Sequence, residues 1–314
     1  MRIFFLGTPA YAVPVLATLM DAGHQLVGVG TQPDREAGRG RKAQASAVKE
    51  FALRKGVSVL EPVTWRSAAA IASVKRLEPD ILVVASYGKI LPARLLNLPP
   101  LGGLNIHPSL LPLYRGPSPV ASAILAGERV TGVTVMVMDE GMDTGPILDQ
   151  VTEGIGENES STSLTQRLFE IGARRLVSRL DLWADNKISA RPQDETQATY
   201  TQSLKKDDGE VDVHLSAEML QRKVRALNPW PGVYTTWEGR RLKILEASLL
   251  TGGQVEVPAG VVRVRSRESK GCLVLGTGDG ALALERVQLS GKKPVSARDF
   301  IAGHQAIDGA KLPS

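Results

Sequence analysis

Short, uninterrupted apolar runs alternate with helical segments along the first two-thirds of the chain. One helical segment covers residues 10–21, with apolar residues three and four positions apart, and Gly23 follows as a stop signal. Strands that are buried on both faces of a parallel sheet have this continuous apolar character. The pattern therefore predicts a doubly wound α/β domain with strands at residues 2–6, 25–29, 81–85, 103–106 and 133–138.

The last third of the chain has a different pattern, in which short strands are separated by glycines. Valines and arginines alternate from Val262 to Arg265, which is typical of a strand with one buried and one solvent-facing side. Strands of this length predict a small, closed or partly open barrel. Exposed arginines on a strand are also a common protection against edge-to-edge aggregation, so by themselves they do not indicate a ligand. We expect the barrel strands at residues 241–245, 260–267, 272–275 and 281–289.

The boundary between these two patterns is a polar stretch without periodicity at residues 186–202. An amphipathic helix is predicted before it, at residues 160–184, and a shorter helix after it, with Ser216 as its N-cap. We therefore expect a catalytic domain at residues 1–188, a linker at 189–206 and a C-terminal domain at 207–314.

Composition agrees with a globular protein of two domains, because 43% of the 314 residues are hydrophobic and 23% are charged. No apolar stretch reaches the roughly 20 residues that cross a bilayer. Cys272 is the single cysteine, which excludes an internal disulfide and favours a cytoplasmic location. The net charge of +5 is unevenly distributed: residues 205–314 hold 17 basic and 13 acidic residues, a surplus of four. A polyanionic partner is compatible with this surplus but is not established by it.

The first turn argues against a nicotinamide cofactor. The dinucleotide fingerprint requires a glycine two positions after Gly7, where the backbone approaches the pyrophosphate. Pro9 occupies that position, and it has no N–H and more bulk.

Candidate catalytic residues follow two of the later strands. Asn105 and His107 are two residues apart in a strand, so their side chains project to the same face, and Asp143 lies in a turn between Gly141 and Gly145. An amide can donate to a developing oxyanion, an imidazole can exchange protons, and a carboxylate can orient the imidazole. The alternative is that Asn105 and Asp143 only form turns and that His107 is a satisfied strand-end residue.

Two other kinds of chemistry have weaker support. Ser109 together with His107 and Asp143 would make a serine-hydrolase triad, but no G-x-S-x-G elbow surrounds the serine. The four histidines are scattered without metal-ligand spacing, so we expect no metal.

These motifs resemble those of the 10-formyltetrahydrofolate-dependent formyltransferases. The pattern N-x-H-x-S-L-L-P-x-x-R-G begins at Asn105, and D-x-G-x-D-T-G begins at Asp139. Pro108 stands where many members of that family carry glycine. The similarity extends over nearly the whole chain, through residues 31–35, 38–40, 87–88, 91–92 and 228–231.

The resemblance implies a Rossmann-like formyltransferase domain followed by an OB-like barrel that contacts tRNA. It implies that Asn105, His107 and Asp143 are catalytic and that Ser109, Leu110, Leu111 and Pro112 contact the folate. The expected reaction moves the formyl group of 10-formyltetrahydrofolate to the amine of an aminoacylated initiator tRNA. We expect a monomeric enzyme without metal and without membrane association.

A dense basic run follows the second strand, and its glycines allow it to move. Because that strand is parallel to the one that carries His107, the run can overhang the catalytic edge of the sheet. We therefore predict tRNA contacts for Arg35, Arg39, Arg41 and Lys42, against the alternative of a solvated loop. A sugar-nucleotide N-formyltransferase is the nearest competing function, since it uses the same folate donor. A sugar nucleotide carries too few phosphates to require such a loop.

Overall fold

The computed structural model describes residues 1–37, 42–250, 256–267 and 270–314. The chain forms two compact units. The first contains Met1–Pro119, Val130–Ile155 and Leu164–Gln202, and the second contains Val120–Arg129, Gly156–Ser163 and Ser203–Ser314.

The strands of both units, in chain order, are β1 (Arg2–Gly7), β2 (Gln25–Gly30), β3 (Arg35–Ala37), β4 (Lys42–Gln44), β5 (Val59–Leu60), β6 (Ile81–Ala85), β7 (Gly103–His107), β8 (Val130–Val137), β9 (Ile147–Gly154), β10 (Val233–Trp237), β11 (Arg240–Leu249), β12 (Val262–Arg267), β13 (Lys270–Gly276), β14 (Ala281–Leu289) and β15 (Val295–Ser296). The α-helices are α1 (Val13–Asp21), α2 (Ala47–Arg54), α3 (Ala68–Lys75), α4 (Ala93–Leu96), α5 (Pro119–Ala126), α6 (Ser161–Ala184), α7 (Ala217–Leu227) and α8 (Ala297–Gly303). Single turns of 3-10 helix lie at Ala10–Ala12, Glu195–Gln197, Lys206–Gly209 and Gln305–Ile307.

The first unit is built on a seven-stranded sheet in the order β5-β2-β1-β6-β7-β8-β9. The five strands from β5 to β7 are parallel, and β8 and β9 are antiparallel to their neighbours. The Rossmann-like fold class is confirmed, and the sheet is mixed, because the predicted strand β8 and the additional strand β9 run antiparallel to their neighbours. An apolar run records burial on both faces but not strand direction, and β8 joins β9 through a loop without a crossover helix.

Helix α6 covers one face of β7. Its buried residues recur about every four positions, at Leu164, Leu168, Leu176 and Leu180 among others, as an amphipathic helix requires. A side chain at Gly172 would collide with Ile106, so glycine permits this close approach. Ile106 points toward α6, and the alternation of the strand therefore turns Asn105 and His107 to the opposite face.

The second unit contains an antiparallel sheet in the order β10-β11-β14-β13-β12, with β15 paired to β14. As predicted, Val262 is buried while Arg263 and Arg265 are exposed. Helix α7 begins after Ser216, whose hydroxyl accepts a hydrogen bond from Met219 N (3.2 Å) in the expected N-cap arrangement.

The C-terminal residues connect the two outer strands of this sheet. Ala310 O accepts from Val262 N on β12 (2.8 Å), and Ser314 N donates to Thr236 O on β10 (2.9 Å). Leu312 lies between these contacts and is almost fully buried, at 1% exposed. The tail thus covers both free edges and gives the sheet the barrel-like closure that the sequence predicted.

Leu312→Ala should lower the free energy of unfolding of the second unit by about 2–5 kcal/mol, because it leaves a cavity in the tail that closes the sheet. Denaturant unfolding followed by tryptophan fluorescence, with Trp237 as the buried reporter in this unit, measures the change. The neighbouring exposed residue supplies the control, and Lys311→Ala should unfold like the wild type. Equal stability of the two variants would show that the tail does not support the barrel.

Candidate active site

Asn105 and His107 lie at the carboxyl end of β7, on the face away from α6. The strand ends there because Pro108 has no N–H for the sheet and favours an extended residue before it. Asn105 is 8% exposed and His107 is 4% exposed, so both polar side chains are buried. Most buried polar groups in proteins are hydrogen-bonded within the fold, so the site is defined by the partners that each of these two side chains has or lacks.

Asp143 reaches His107 from the loop that follows β8. Because β8 is antiparallel to β7, Val137 pairs with Leu104 and β8 ends beside the start of β7. The loop must therefore turn back along the face of the sheet to bring the Asp143 carboxylate to the imidazole. The Asp143 motif thus follows a strand that ends at the opposite edge of the sheet from the end of β7.

The turn around Asp143 is formed differently from the sequence-based expectation. Asp143 itself adopts a left-handed conformation, with φ of 56°, which aspartate tolerates better than most residues. Gly145 instead allows the backbone of the turn to pass close to the end of β8, because a side chain there would collide with Val137 O. The Asp143 carboxylate accepts a hydrogen bond from Gly116 N (2.8 Å), which fixes its orientation.

The hydrogen bonds of His107 determine which ring nitrogen faces the carboxylate. Nε2 lies 3.0 Å from Tyr114 O, and a carbonyl oxygen can only accept, so Nε2 carries the hydrogen. Nδ1 lies 3.5 Å from Asp143 Oδ2. A proton taken up by the ring therefore enters on Nδ1, where a carboxylate stabilises the resulting imidazolium.

The Asn105 amide has no hydrogen-bond partner within the part of the chain that the structure describes. It is held in the centre of the sheet, since Asn105 pairs with Val84 on β6 and with Met136 on β8. A fixed amide with free N–H groups beside an imidazole is suited to stabilise an oxyanion.

The loop after β7 has its shape fixed by Thr134. The Thr134 hydroxyl donates to Ser109 O (2.7 Å) and accepts from Leu111 N (3.2 Å). Leu111 packs into a small buried cluster with Met136 and Ile147, whereas Leu110 and Pro112 are half-buried. The Ser109 hydroxyl donates to Leu113 O (2.6 Å). Its proton is thus directed away from the imidazole, unlike that of a serine nucleophile.

The two ends of the predicted tRNA loop form the antiparallel pair of β3 and β4, which follows β2 in the chain and in which Arg35 pairs with Gln44. Arg35 and Lys42 belong to these two strands, while Arg39 and Arg41 lie outside the described residues. The hairpin is attached to the domain by Lys49, whose ammonium contacts Asp34 and Glu61 at 2.8 Å each. The hydrogen bond to Asp34 raises the pKa of Lys49.

One part of the site was not predicted from the sequence. Arg115, in the loop that follows β7, is fully buried, and its guanidinium contacts Gln193 and Glu195 from the stretch that we expected to be a linker. Its hydrogen bond to Glu195 lowers the pKa of that carboxyl. Residues 191–201 are mostly polar and show no hydrophobic periodicity. The sequence pattern therefore gave no indication that they contact Arg115.

Among residues 1–37, 42–250, 256–267 and 270–314, no group of three or more His, Cys, Asp or Glu side chains is arranged to hold a metal ion. Within the same residues, no helix combines the length and apolar character needed to cross a membrane.

Residues from both units match known protein families. Residues 1–180 match the formyl transferase family, and residues 203–305 match the formyl transferase C-terminal domain family. The methionyl-tRNA formyltransferase of Roseiflexus sp. is 49% identical over 99% of this chain and 95% of its own length. The methionyl-tRNA formyltransferase of Chloroflexus aurantiacus is 47% identical over 98% of both chains.

Solved structures agree on the fold. HypX from Aquifex aeolicus in complex with tetrahydrofolic acid has a TM-score of 0.68 and 19% identity, covering 99% of this chain and 48% of that one. The sugar 3N-formyl transferase WlaRD has a TM-score of 0.64 and 17% identity, covering 93% of this chain and 99% of that one. Fold and site together define a formyltransferase of the folate-dependent class. Within that class, the chain belongs to the methionyl-tRNA formyltransferase family.

Proposed function

We propose that this enzyme transfers the formyl group of 10-formyltetrahydrofolate to the α-amine of methionine on initiator methionyl-tRNA. The observation that carries the proposal is the buried His107 paired with the half-buried Asp143 beside the free Asn105 amide, in a chain that matches this family over nearly its full length.

The transfer begins when the methionyl amine attacks the formyl carbon on N10 of the folate. A carbon–nitrogen bond forms and the formyl oxygen becomes an oxyanion. We assign Asn105 to donate a hydrogen bond to this oxygen. A donor in such a position typically stabilises the transition state by about 3–4 kcal/mol.

In the second half of the reaction the oxyanion returns to a carbonyl and the bond between the formyl carbon and N10 breaks. A proton moves from the attacking nitrogen to N10, so that tetrahydrofolate leaves. We assign this transfer to His107 and Asp143. Because the hydrogen on Nε2 is held by Tyr114 O, Nδ1 is the nitrogen that accepts and returns the proton. Asp143 stabilises the charged ring meanwhile. No covalent enzyme intermediate is needed, since the two substrates react directly once they are aligned.

We assign the folate to the loop of Ser109, Leu110, Leu111 and Pro112. This loop directly follows His107, and Thr134 keeps its backbone in one conformation. A rigid loop at this place can hold the donor without a large cost in conformational entropy.

We assign the tRNA to the basic loop of Arg35, Arg39, Arg41 and Lys42 and to the basic surplus of the second unit. The hairpin of β3 and β4 follows β2, which is three strands away from β7 in the same parallel part of the sheet. At roughly 4.8 Å per strand this is about 14 Å, close enough for one acceptor end to contact both. Arg263 and Arg265 offer exposed charges on β12.

The proposal also includes a catalytic domain at residues 1–188, a linker at 189–206 and a C-terminal domain at 207–314. It further includes a monomeric state and a cytoplasmic location. Cytoplasm is where initiator tRNA is charged. Gel filtration with light scattering tests the monomer.

A direct assay tests the proposed function. Purified protein is mixed with 10-formyltetrahydrofolate and methionyl initiator tRNA, and formylated methionine is measured after hydrolysis of the ester. A UDP-amino sugar serves as the alternative acceptor. Formylation of the sugar at a rate equal to or above that of the tRNA would contradict the proposal.

Replacing Arg39, Arg41 and Lys42 together by Ala should raise the KM for tRNA and reduce the dependence of tRNA binding on salt. Each lost phosphate contact lowers the slope of log K against log salt concentration by about 0.7–0.9. Affinity for a folate analogue should stay unchanged, because the folate loop follows a different strand. Titration of both ligands against one triple variant measures the two effects. If the triple variant lost affinity for tRNA and for the folate analogue equally, the loop would have only a structural role.

A further inference from the structure

Gln193 connects the loop that follows β7 to the loop that carries Asp143. Its Nε2 donates to Asp143 O (2.8 Å) and to Gly145 O (2.7 Å), on the two sides of the Asp143 turn. Its Oε1 accepts from Arg115 Nε (3.0 Å) and Arg115 Nη2 (2.8 Å). A side-chain amide has two donors and two lone pairs on its oxygen, so the hydrogen-bonding capacity of Gln193 is fully used.

Arg115 gives this connection a rigid base. The five N–H groups of a guanidinium all find acceptors here: two bonds go to Gln193, two to Glu195 and one to the Tyr200 hydroxyl. The side chain is fully buried. Its backbone is also held, since Arg115 N donates to Thr199 O (2.9 Å) and Arg115 O accepts from Thr201 N (2.7 Å).

The residues on either side of Arg115 are the ones that orient the catalytic pair. Tyr114 O accepts the Nε2 hydrogen of His107, and Gly116 N donates to the carboxylate of Asp143. The same three-residue segment therefore touches both catalytic side chains, and Gln193 ties it to the backbone of the Asp143 turn. Asp143 is left-handed at φ 56°, so its turn depends on bonds of this kind to keep its shape.

We propose that Gln193 is a positioning residue for formyl transfer, which sets the placement of the Asp143 carboxylate against His107 by bridging the Asp143 turn to Arg115. The proposal rests on the proposed function. A displacement of about 1 Å in a catalytic group can reduce turnover by about 100-fold, and loss of the bridge releases only one of several restraints. We expect kcat to fall about 10- to 100-fold.

Two substitutions distinguish the effect of losing the bridging hydrogen bonds from the effect of losing side-chain packing. Gln193→Glu keeps the shape and the acceptor toward Arg115 but removes the two N–H donors to Asp143 O and Gly145 O. Gln193→Met removes both ends of the bridge at similar volume. The matched control is Gln197→Ala in the same segment, where an exposed amide donates to Asp194 Oδ2 (2.7 Å).

The experiment measures kcat, both KM values and the pH dependence of kcat in the full-length protein with methionyl-tRNA and 10-formyltetrahydrofolate. Gln193→Glu and Gln193→Met should lower kcat, change the pH profile and leave both KM values within about threefold, whereas Gln197→Ala should match the wild type. If Gln193→Met does not fold, Gln193→Glu decides.

An unchanged kcat and pH profile for Gln193→Glu would overturn the proposal, as would a loss expressed in KM alone. The wild-type rate in the same assay tests the proposed function separately. A wild type that forms no formylmethionyl-tRNA disproves the function, whereas an active wild type with fully active Gln193 variants disproves the positioning role.

Discussion

Asn105→Ala should lower kcat for formyl transfer by about 100-fold or more while the protein remains folded. The Asn105 amide makes no hydrogen bond within the described residues, so its removal breaks no hydrogen bond that supports the fold. It removes a fixed donor from a buried position beside His107, where an oxyanion gains most from a hydrogen bond. Single-turnover formylation of methionyl-tRNA with saturating folate measures the chemical step.

The control for this variant is Asn97→Ala, which removes an exposed asparagine at the end of α4 in the same unit. It should keep the wild-type rate. Thermal unfolding of both variants should stay close to that of the wild type. If Asn105→Ala turns over at a near-normal rate, the oxyanion is stabilised elsewhere and the assignment of this site fails.

The strands of the first unit could be predicted because they are buried on both faces. The run at Ile81–Ala85 is found at the predicted residues, and β1, β2 and β7 each extend by one residue beyond the prediction. The very short β5 and the largely half-buried β9 were not predicted. Both lie at the edges of the sheet, where continuous apolar character is not required.

The arrangement of the candidate catalytic residues could be predicted in part. That Asn105 and His107 share one face follows from strand alternation alone, and in the structure both side chains lie on the face opposite Ile106, where they are buried. The meeting of Asp143 with His107 could not be derived in the same way, because it depends on an antiparallel β8 and a loop that turns back. The D-x-G-x-D-T-G motif indicated Asp143 as a candidate, but only the strand topology shows how the loop brings it to His107.

Gln193 and Glu195 show the limit of sequence patterns more clearly. Polar residues without periodicity are typical of a linker, and we predicted one there. The structure places residues 193–201 in the first unit, with Gln193 and Glu195 on the buried Arg115. Partners for a buried charge can come from any distance along the chain, so their positions follow from the fold and not from local sequence.

The division into two units also affects how function can be dissected. Residues 120–129 and 156–163 belong to the second unit, where Gly127 packs against Arg222 and Ser161 Oγ donates to Asn228 O (3.4 Å). A fragment that ends at residue 204 would lose these neighbours. Substitutions in the full-length chain therefore test the folate and tRNA sites more cleanly than truncation does.

Asp143→Asn should reduce kcat at least 100-fold while the turn keeps its shape. The asparagine oxygen can still accept the hydrogen bond from Gly116 N, and the backbone bonds from Gln193 are unchanged. What disappears is the negative charge 3.5 Å from His107 Nδ1. Asp139→Asn is the matched control, since it removes a charge from the same loop but keeps an acceptor for Gly141 N. It should retain most of the activity.

The pH–rate profile distinguishes a catalytic carboxylate from a turn residue. The proton transfer assigned to His107 depends on the charge of the carboxylate beside its Nδ1. The pH–rate profile should therefore change in Asp143→Asn and stay like that of the wild type in Asp139→Asn. Steady-state rates between pH 5 and 9 at saturating substrates measure this change. Full activity with an unchanged profile would mean that Asp143 serves only the turn, and that the proton passes between the two substrates without the His107–Asp143 pair.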